Sequence, residues 1–370
     1  MVNINRRVAV SGLIAASLPS GAVARLMIEP PDAGPLSPTA VGELLAQYKV
    51  PGASLAIVQQ GELAATYCYG EARTGKPVVP STLFQAASIS KTINAMAILK
   101  LVAQGRVTLN DPVNQHLASW KLPSNALTEK TAVTIRMLLS HTGGTTVSGF
   151  AGYVPNAPLP TLEQILDGKS PANSDPIRVA WPPGQDFRYS GGGTTILQQL
   201  VIDVTGYDYP TAVERLVLDP LGMKRTDYVQ QPDVLSRTER ALAHGPDGSP
   251  NPGGFRIHPE FAAAGLWTTP SDLIRAVLAI INSRRARPGA FLPQELAQAM
   301  LTPVAQQSGL GVFLDSKSTF SHPGSNIGYR ALLAGDPEAE QAMVAMTNGD
   351  NGEKFCAEIR RRVAETFRWR

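Results

Sequence analysis

The chain has 370 residues, with 33 Lys and Arg against 30 Asp and Glu, a net charge of +3, 43% apolar residues and 17% charged ones. That balance belongs to a globular protein able to bury a large core in one or two domains, and it excludes a disordered or fibrous chain. The longest basic groups are Arg284–Arg285 and Arg360–Arg361–Arg362, too short for a nucleic-acid tract and suited to helix C-terminal ends.

At the start, Arg6–Arg7 precedes an apolar run from Val8 to Leu18 and then Ala22–Val23–Ala24. A basic region, a short apolar core and an A-x-A site predict a signal peptide over 1–24, removed after Ala24. The run is about half of the ~20 residues that a membrane-spanning helix needs, so no stable insertion of the mature chain is expected. The arginine pair resembles an export signal for folded proteins, and the expected location is periplasmic or secreted. Residues 25–37 read as a linker, Pro- and Gly-rich from Pro30, and 38–370 as the catalytic domain. The two cysteines, Cys68 and Cys356, are consistent with one long-range disulfide or with two buried thiols.

From Thr39 to Lys49 the spacing of Val41, Leu44, Leu45 and Tyr48 predicts a helix. Residues Ala53–Gln59 and Glu62–Tyr69 then alternate around Gln60–Gly61 as a hairpin. Ile89, Ile93, Met96, Ala97 and Leu101 mark a second helix, stopped by Gly105. Between about 106 and 255, helical patterns at 134–140, 161–166, 194–205 and 210–218 are joined by Pro- and Gly-rich loops. Thr269–Pro270–Ser271–Asp272 opens a helix to Ile281. Strand patterns follow at 309–314, 327–333 and 342–347, and a final helix starts near Glu353. The expected architecture is α+β: an antiparallel sheet built from both chain ends and flanked by helices, with a mostly helical lobe inserted over about 106–255 and a cleft between the lobes.

Three short segments carry chemistry. Ser88 and Lys91 stand three apart at the mouth of the second helix, so one face holds a hydroxyl, an amine and the unpaired N–H groups of the first turn. Taken alone, the pair also fits an N-cap serine and a solvated lysine. Tyr189–Ser190–Gly191 precedes two further glycines and a helix. A phenol beside a lysine can act as general base, and glycine lets backbone approach a substrate. His322–Pro323–Gly324, followed by Ser325–Asn326, offers a cation or donor at a strand edge and an N–H for a developing oxyanion. No His or Cys spacing suggests a metal, and no cofactor is expected. His141 reads as structural, holding a loop under the cleft. Trp181, in Trp181–Pro182–Pro183–Gly184, is a candidate substrate contact.

In this order, S-x-x-K, a Tyr/Ser motif and a K-T-G-like strand resemble the signature of penicillin-recognising serine enzymes. The sequence is similar to the superfamily of class C β-lactamases, penicillin-binding carboxypeptidases and family VIII esterases over roughly 38–365. Supporting phrases are Leu138–Leu139–Ser140–His141–Thr142–Gly143–Gly144, Leu218–Asp219–Pro220–Leu221–Gly222–Met223 and Gly265–Leu266–Trp267–Thr268–Thr269–Pro270–Ser271–Asp272–Leu273. The resemblance implies Ser88 as nucleophile, Lys91 as the group that keeps it deprotonatable and Tyr189 as proton shuttle. It also implies that the Ser88 and Ser325 N–H groups form the oxyanion hole, with His322, Gly324, Gly191 and Trp181 around the substrate. Two departures stand out: Gly191 replaces an Asn that would contact an acylamido group, and His322 replaces a lysine. They favour a carboxylesterase with weak β-lactam hydrolysis, acting on a small ester, amide or peptide. The alternatives are a D-amino-acid peptidase or transpeptidase, and a penicillin-binding receptor that acylates without turnover.

Overall fold

The computed structural model describes residues 30–231, 239–316 and 318–369; the expected signal segment over 1–24 lies outside them. The first helix, α1 (Pro38–Tyr48), is capped by the Ser37 side chain, which accepts from the Ala40 N–H. It leads into β1 (Gly52–Gln59) and β2 (Glu62–Arg73), joined through Gln60 and Gly61. Both turn residues have positive φ, 53° and 76°, as a two-residue hairpin turn that matches strand twist requires.

Both chain ends meet in one seven-stranded antiparallel sheet. The C-terminal strands are β3 (Phe320–Asn326), β4 (Tyr329–Asp336) and β5 (Gln341–Thr347). The order across the sheet is Lys76–Pro77, β2, β1, β5, β4, β3 and Phe313–Leu314. In β1 the side chains of Leu55 and Ile57 face one apolar cluster while Ala56 and Val58 face the other. Burial on both faces departs from the alternation expected of a half-solvated hairpin strand and accounts for the apolar stretch 55–58. One face is covered by α1 and by the C-terminal helix Gly352–Thr366, which contributes Phe355, Ile359 and Val363. The other is covered by the helix Pro270–Arg284, beyond which lies the larger core. Cys68 packs toward the larger core and Cys356 sits in the smaller one, so the sheet separates them and both are free thiols.

The helix carrying Ser88 and Lys91 is preceded by the 3-10 turn Ala87–Ile89, and α2 itself runs Ser90–Ala103. Nearly every residue of α2 is buried. Within the 106–255 stretch the helices are short, apart from α3 (Gly191–Thr205). The helical pattern at 210–218 becomes Tyr209–Val213 followed by a wider turn, Glu214–Leu218. The fold is α+β, and among the described residues no helix is long and apolar enough to cross a membrane.

Two strand expectations shifted. The pattern at 309–314 is extended only at Phe313–Leu314, and that at 327–333 begins at Tyr329, because Ile327–Gly328 is the turn between β3 and β4. Strand β3, which the resemblance implied and the residue pattern alone did not mark, contains Pro323, which has no N–H to donate. In its antiparallel pairing the pairs next to the turn alternate from Asn326–Tyr329 to Pro323–Leu332. A two-residue turn closes on a hydrogen-bonded pair, so Pro323 falls at a non-hydrogen-bonded position, with its nitrogen toward the open edge where proline is tolerated.

Candidate active site

From Thr82 to Leu99, Ser88 is the one residue that is not buried. The turn that presents it is pinned from several sides. Ser90 Oγ donates to the Ala87 carbonyl at 2.6 Å and accepts from Leu266 N–H at 3.1 Å, while Ala86 N–H donates to the Leu266 carbonyl at 2.9 Å. Ala87 itself has φ +51°, a left-handed conformation that costs a non-glycine residue about 1 kcal/mol and aims the next side chain out of the fold.

One turn on, Lys91 is only 4% exposed. Its Nζ donates to Ser88 Oγ at 3.1 Å and to the Ala263 carbonyl at 2.7 Å. A lysine with no water to solvate it is held in place by such acceptors. The Ala263 carbonyl was not legible beforehand as a site element. It comes from a short turn in which Ala263 and Ala264 both donate to the Glu260 carbonyl, fixed in turn by Gln198 of α3, which bonds Pro259 O and Ala262 N.

The half-buried Tyr189 comes from the stretch just before α3, and Lys91 Nζ lies 5.1 Å from its ring centroid. Around that ring are His141 at 4.5 Å, Phe313 at 6.2 Å and His322 at 6.5 Å. The structure therefore gathers Ser88, Lys91, Tyr189 and His322 into one cluster. Trp181 makes its ring contact with Arg188, whose guanidinium lies 4.6 Å from the indole centroid. It belongs to the rim beside Tyr189.

The three glycines after Ser190 answer to close packing by residues 145–150. A Cβ on Gly192 would stand 2.5 Å from the Thr146 carbonyl. At Gly191 it would meet the Phe150 ring at 3.0 Å and the Ser148 carbonyl at 3.2 Å. The direction in which an asparagine amide would leave the chain is thus filled by a phenyl ring.

On the strand side, Gly324 lies so close to the segment before Ser88 that its Cβ would stand 2.3 Å from the Ala86 carbonyl. The alternation that excuses Pro323 also makes Ser325–Arg330 a non-hydrogen-bonded pair and turns the Ser325 N–H away from β4. Asn326, whose part sequence reasoning did not assign, ties the pieces together: its Nδ2 donates to Gln85 Oε1 at 2.7 Å and to the Ala264 carbonyl at 3.2 Å. Gly324→Ala is expected to push β3 off the Ala86 carbonyl and cut ester turnover by roughly 10²-fold, the scale of one lost oxyanion donor. A steady-state comparison with wild-type protein checks this; retained kcat would show that the two backbones need not touch.

His322 narrows the expectation of a cation or donor at the strand edge to an uncharged ring, as expected where His stands in place of a lysine. The ring is 1% exposed, and its Nδ1–H donates to the Pro323 carbonyl at 2.7 Å, leaving Nε2 without a partner among the described residues. Burial, aided by the positive charge of Lys91, pulls its pKa down to about 3. At neutral pH the residue is an uncharged imidazole presenting an acceptor, so it supplies no positive charge for a substrate carboxylate.

The Beta-lactamase family model matches residues 39–367. The chain belongs to the beta-lactamase family, and within it to the serine hydrolases. Esterase EstB of Burkholderia gladioli is 29% identical over 332 residues, which are 80% of this chain and 79% of EstB. Protein flp of Staphylococcus aureus (strain N315) is 30% identical over 232 residues, 60% of this chain, and the match spans 42% of flp. The D-amino acid amidase from Ochrobactrum anthropi SV3, solved with L-phenylalanine amide, superposes with a TM-score of 0.70 at 21% identity, over 90% of this chain and 97% of the amidase. That last likeness concerns the fold.

Proposed function

We propose that this protein is an exported carboxylesterase that passes through an acyl-enzyme on Ser88. The observation that carries the reading is the pair of contacts that holds Lys91 Nζ between Ser88 Oγ and the Ala263 carbonyl, inside a buried helix. Ser88 Oγ attacks the ester carbonyl carbon, and its proton passes to the Lys91–Tyr189 pair. The carbonyl oxygen, now anionic, is held by the N–H groups of Ser88 and Ser325. As the C–O bond to the alcohol breaks, the same pair returns the proton to the leaving oxygen. Water then repeats the cycle, with acid and base roles exchanged, and frees the carboxylic acid.

Two features support an ester over a substrate with an acylamido side chain and a carboxylate. Phe150 fills the direction of an amide at Gly191, and His322 is neutral. The similarity to an esterase across four-fifths of the chain points the same way. Export rests on Arg6–Arg7, the apolar run after it and Ala22–Val23–Ala24.

The test uses protein starting at Arg25, a short p-nitrophenyl ester and, in parallel, a chromogenic cephalosporin. Sustained ester turnover, abolished in Ser88→Ala, and a β-lactam rate lower by at least about 10²-fold, or 3 kcal/mol in the barrier, are the expected results. A single-equivalent burst that stalls would favour a receptor, and equal rates in both proteins would remove Ser88 from the mechanism.

A further inference from the structure

The residues on either side of Tyr189 are both tied to one residue of another loop. Arg188 N–H donates to the His141 carbonyl at 2.8 Å, and Ser190 N–H donates to His141 Nδ1 at 3.2 Å. The imidazole itself packs against the Tyr189 ring, with centroids 4.5 Å apart. A single residue therefore grips the chain before Tyr189, the chain after it and the phenol between.

His141 is also built in unusually for this task. Its φ is +58°, a left-handed conformation that bulky residues avoid. That conformation lets the backbone carbonyl and the side-chain Nδ1 of one residue point to the same stretch of chain. The ring is 5% exposed. Burial, then the charge of Lys91 and the neighbouring His322, hold its pKa well below 6.5. The lone pair on Nδ1 that receives the Ser190 N–H is consequently present throughout the neutral range. Phe187, 6.0 Å away, closes the far side of the ring. Nothing in the cluster assigns His141 a proton to move.

We infer that His141 is a positioning residue for Tyr189: it sets the height and angle of the phenol over Ser88 and Lys91 by holding the peptide groups at Arg188 and Ser190. The inference rests on Tyr189 being the proton shuttle of the proposed reaction. Its consequence is a loss in the chemical step with little loss in substrate binding, because the residue touches the phenol and not the substrate.

The experiment compares His141→Asn, His141→Gly and Tyr189→Phe in the full mature protein with a short p-nitrophenyl ester. Asn and Gly both accept the positive φ, and both lose the ring stacking. They differ in that Asn keeps a short-reach acceptor for the Ser190 N–H. His141→Gly is expected to lower kcat by roughly 10²-fold, the effect of about 1 Å of misplacement, with KM within about threefold. His141→Asn is expected to recover at least about tenfold of that loss, the worth of one hydrogen bond of about 1.4 kcal/mol. Melting temperatures are taken for all variants. Equal losses in Asn and Gly that follow the melting temperature, or a loss in KM alone, would overturn the positioning role. Full activity in Tyr189→Phe would instead remove the shuttle reading on which it stands.

Discussion

Replacing Lys91 with methionine is expected to lower kcat for a short ester by at least about 10³-fold, some 4 kcal/mol in the barrier, while KM changes little. The amine is the only charged group hydrogen-bonded to Ser88 Oγ among the described residues, and it sits beside the Tyr189 ring. Its removal takes away the hydrogen-bond partner of Ser88 Oγ and the cation beside the Tyr189 ring at once, and groups that act as a unit fail together. Methionine is close to lysine in length and apolar, and α2 is buried around position 91. The variant therefore exchanges a buried charge for a buried hydrophobe, an exchange that is often neutral or stabilising. Against this stands the Ala263 carbonyl, which loses its partner at a cost of about 1–3 kcal/mol. Stability should thus stay within a few kcal/mol of wild type while turnover collapses. Stopped-flow kinetics would place the loss in the acylation burst. A burst of wild-type rate followed by slow steady state would mean that Lys91 serves deacylation alone, and kcat within tenfold of wild type would dismiss it from the chemistry.

How much of this site the sequence discloses follows from the distance over which each contact acts. Ser88 and Lys91 are legible because their contact is three residues long and obeys helical spacing. Tyr189 and Gly324 become legible only when the order of three motifs is matched to a family, since no local rule brings 88, 189 and 324 together. The Ala263 carbonyl could not be read, because any residue offers a backbone acceptor and only the fold at 258–264 aims this one. The two roles of His141 are hidden for a similar reason: one uses a carbonyl, the other a ring nitrogen whose protonation depends on burial. His322 shows the converse. Its residue type left both a cation and a neutral ring open, and the desolvation that keeps it uncharged is a property of packing between β3, Phe313 and Tyr189. In the fold, β1 is legible from its hairpin with β2, and β5 from its strand pattern. β3 was obscured because Pro323 and Gly324 break a strand pattern, although they suit an open edge facing a substrate.

Glu260→Gln is expected to stabilise the folded protein by about 3 kcal/mol at pH 8 and by almost nothing at pH 4. Glu260 is fully buried, and neither carboxylate oxygen has a hydrogen-bond partner among the described residues. Desolvation raises its pKa to about 7, from an ordinary value of 4.5. Between those two pH values the folded state keeps a proton that the unfolded chain gives up. Stability is therefore greatest below pH 4.5, falls as the pH climbs to 7, and stays low above it. Glutamine removes the titration and nearly keeps the shape, so the two proteins diverge across that window. Urea unfolding at pH 4, 6 and 8 measures the divergence, which at pH 8 corresponds to roughly 6 °C in melting temperature at about 2 °C per kcal/mol. The same residue's backbone carbonyl receives the Ala263 and Ala264 N–H groups, and Ala263 supplies the acceptor for Lys91. Ionising Glu260 is expected to strain the turn that holds the Lys91 amine, and wild-type kcat should fall above pH 7 more steeply than that of Glu260→Gln. Parallel stability curves for the two proteins from pH 4 to 8 would mean that the carboxylate is solvated in the fold and that this coupling does not exist.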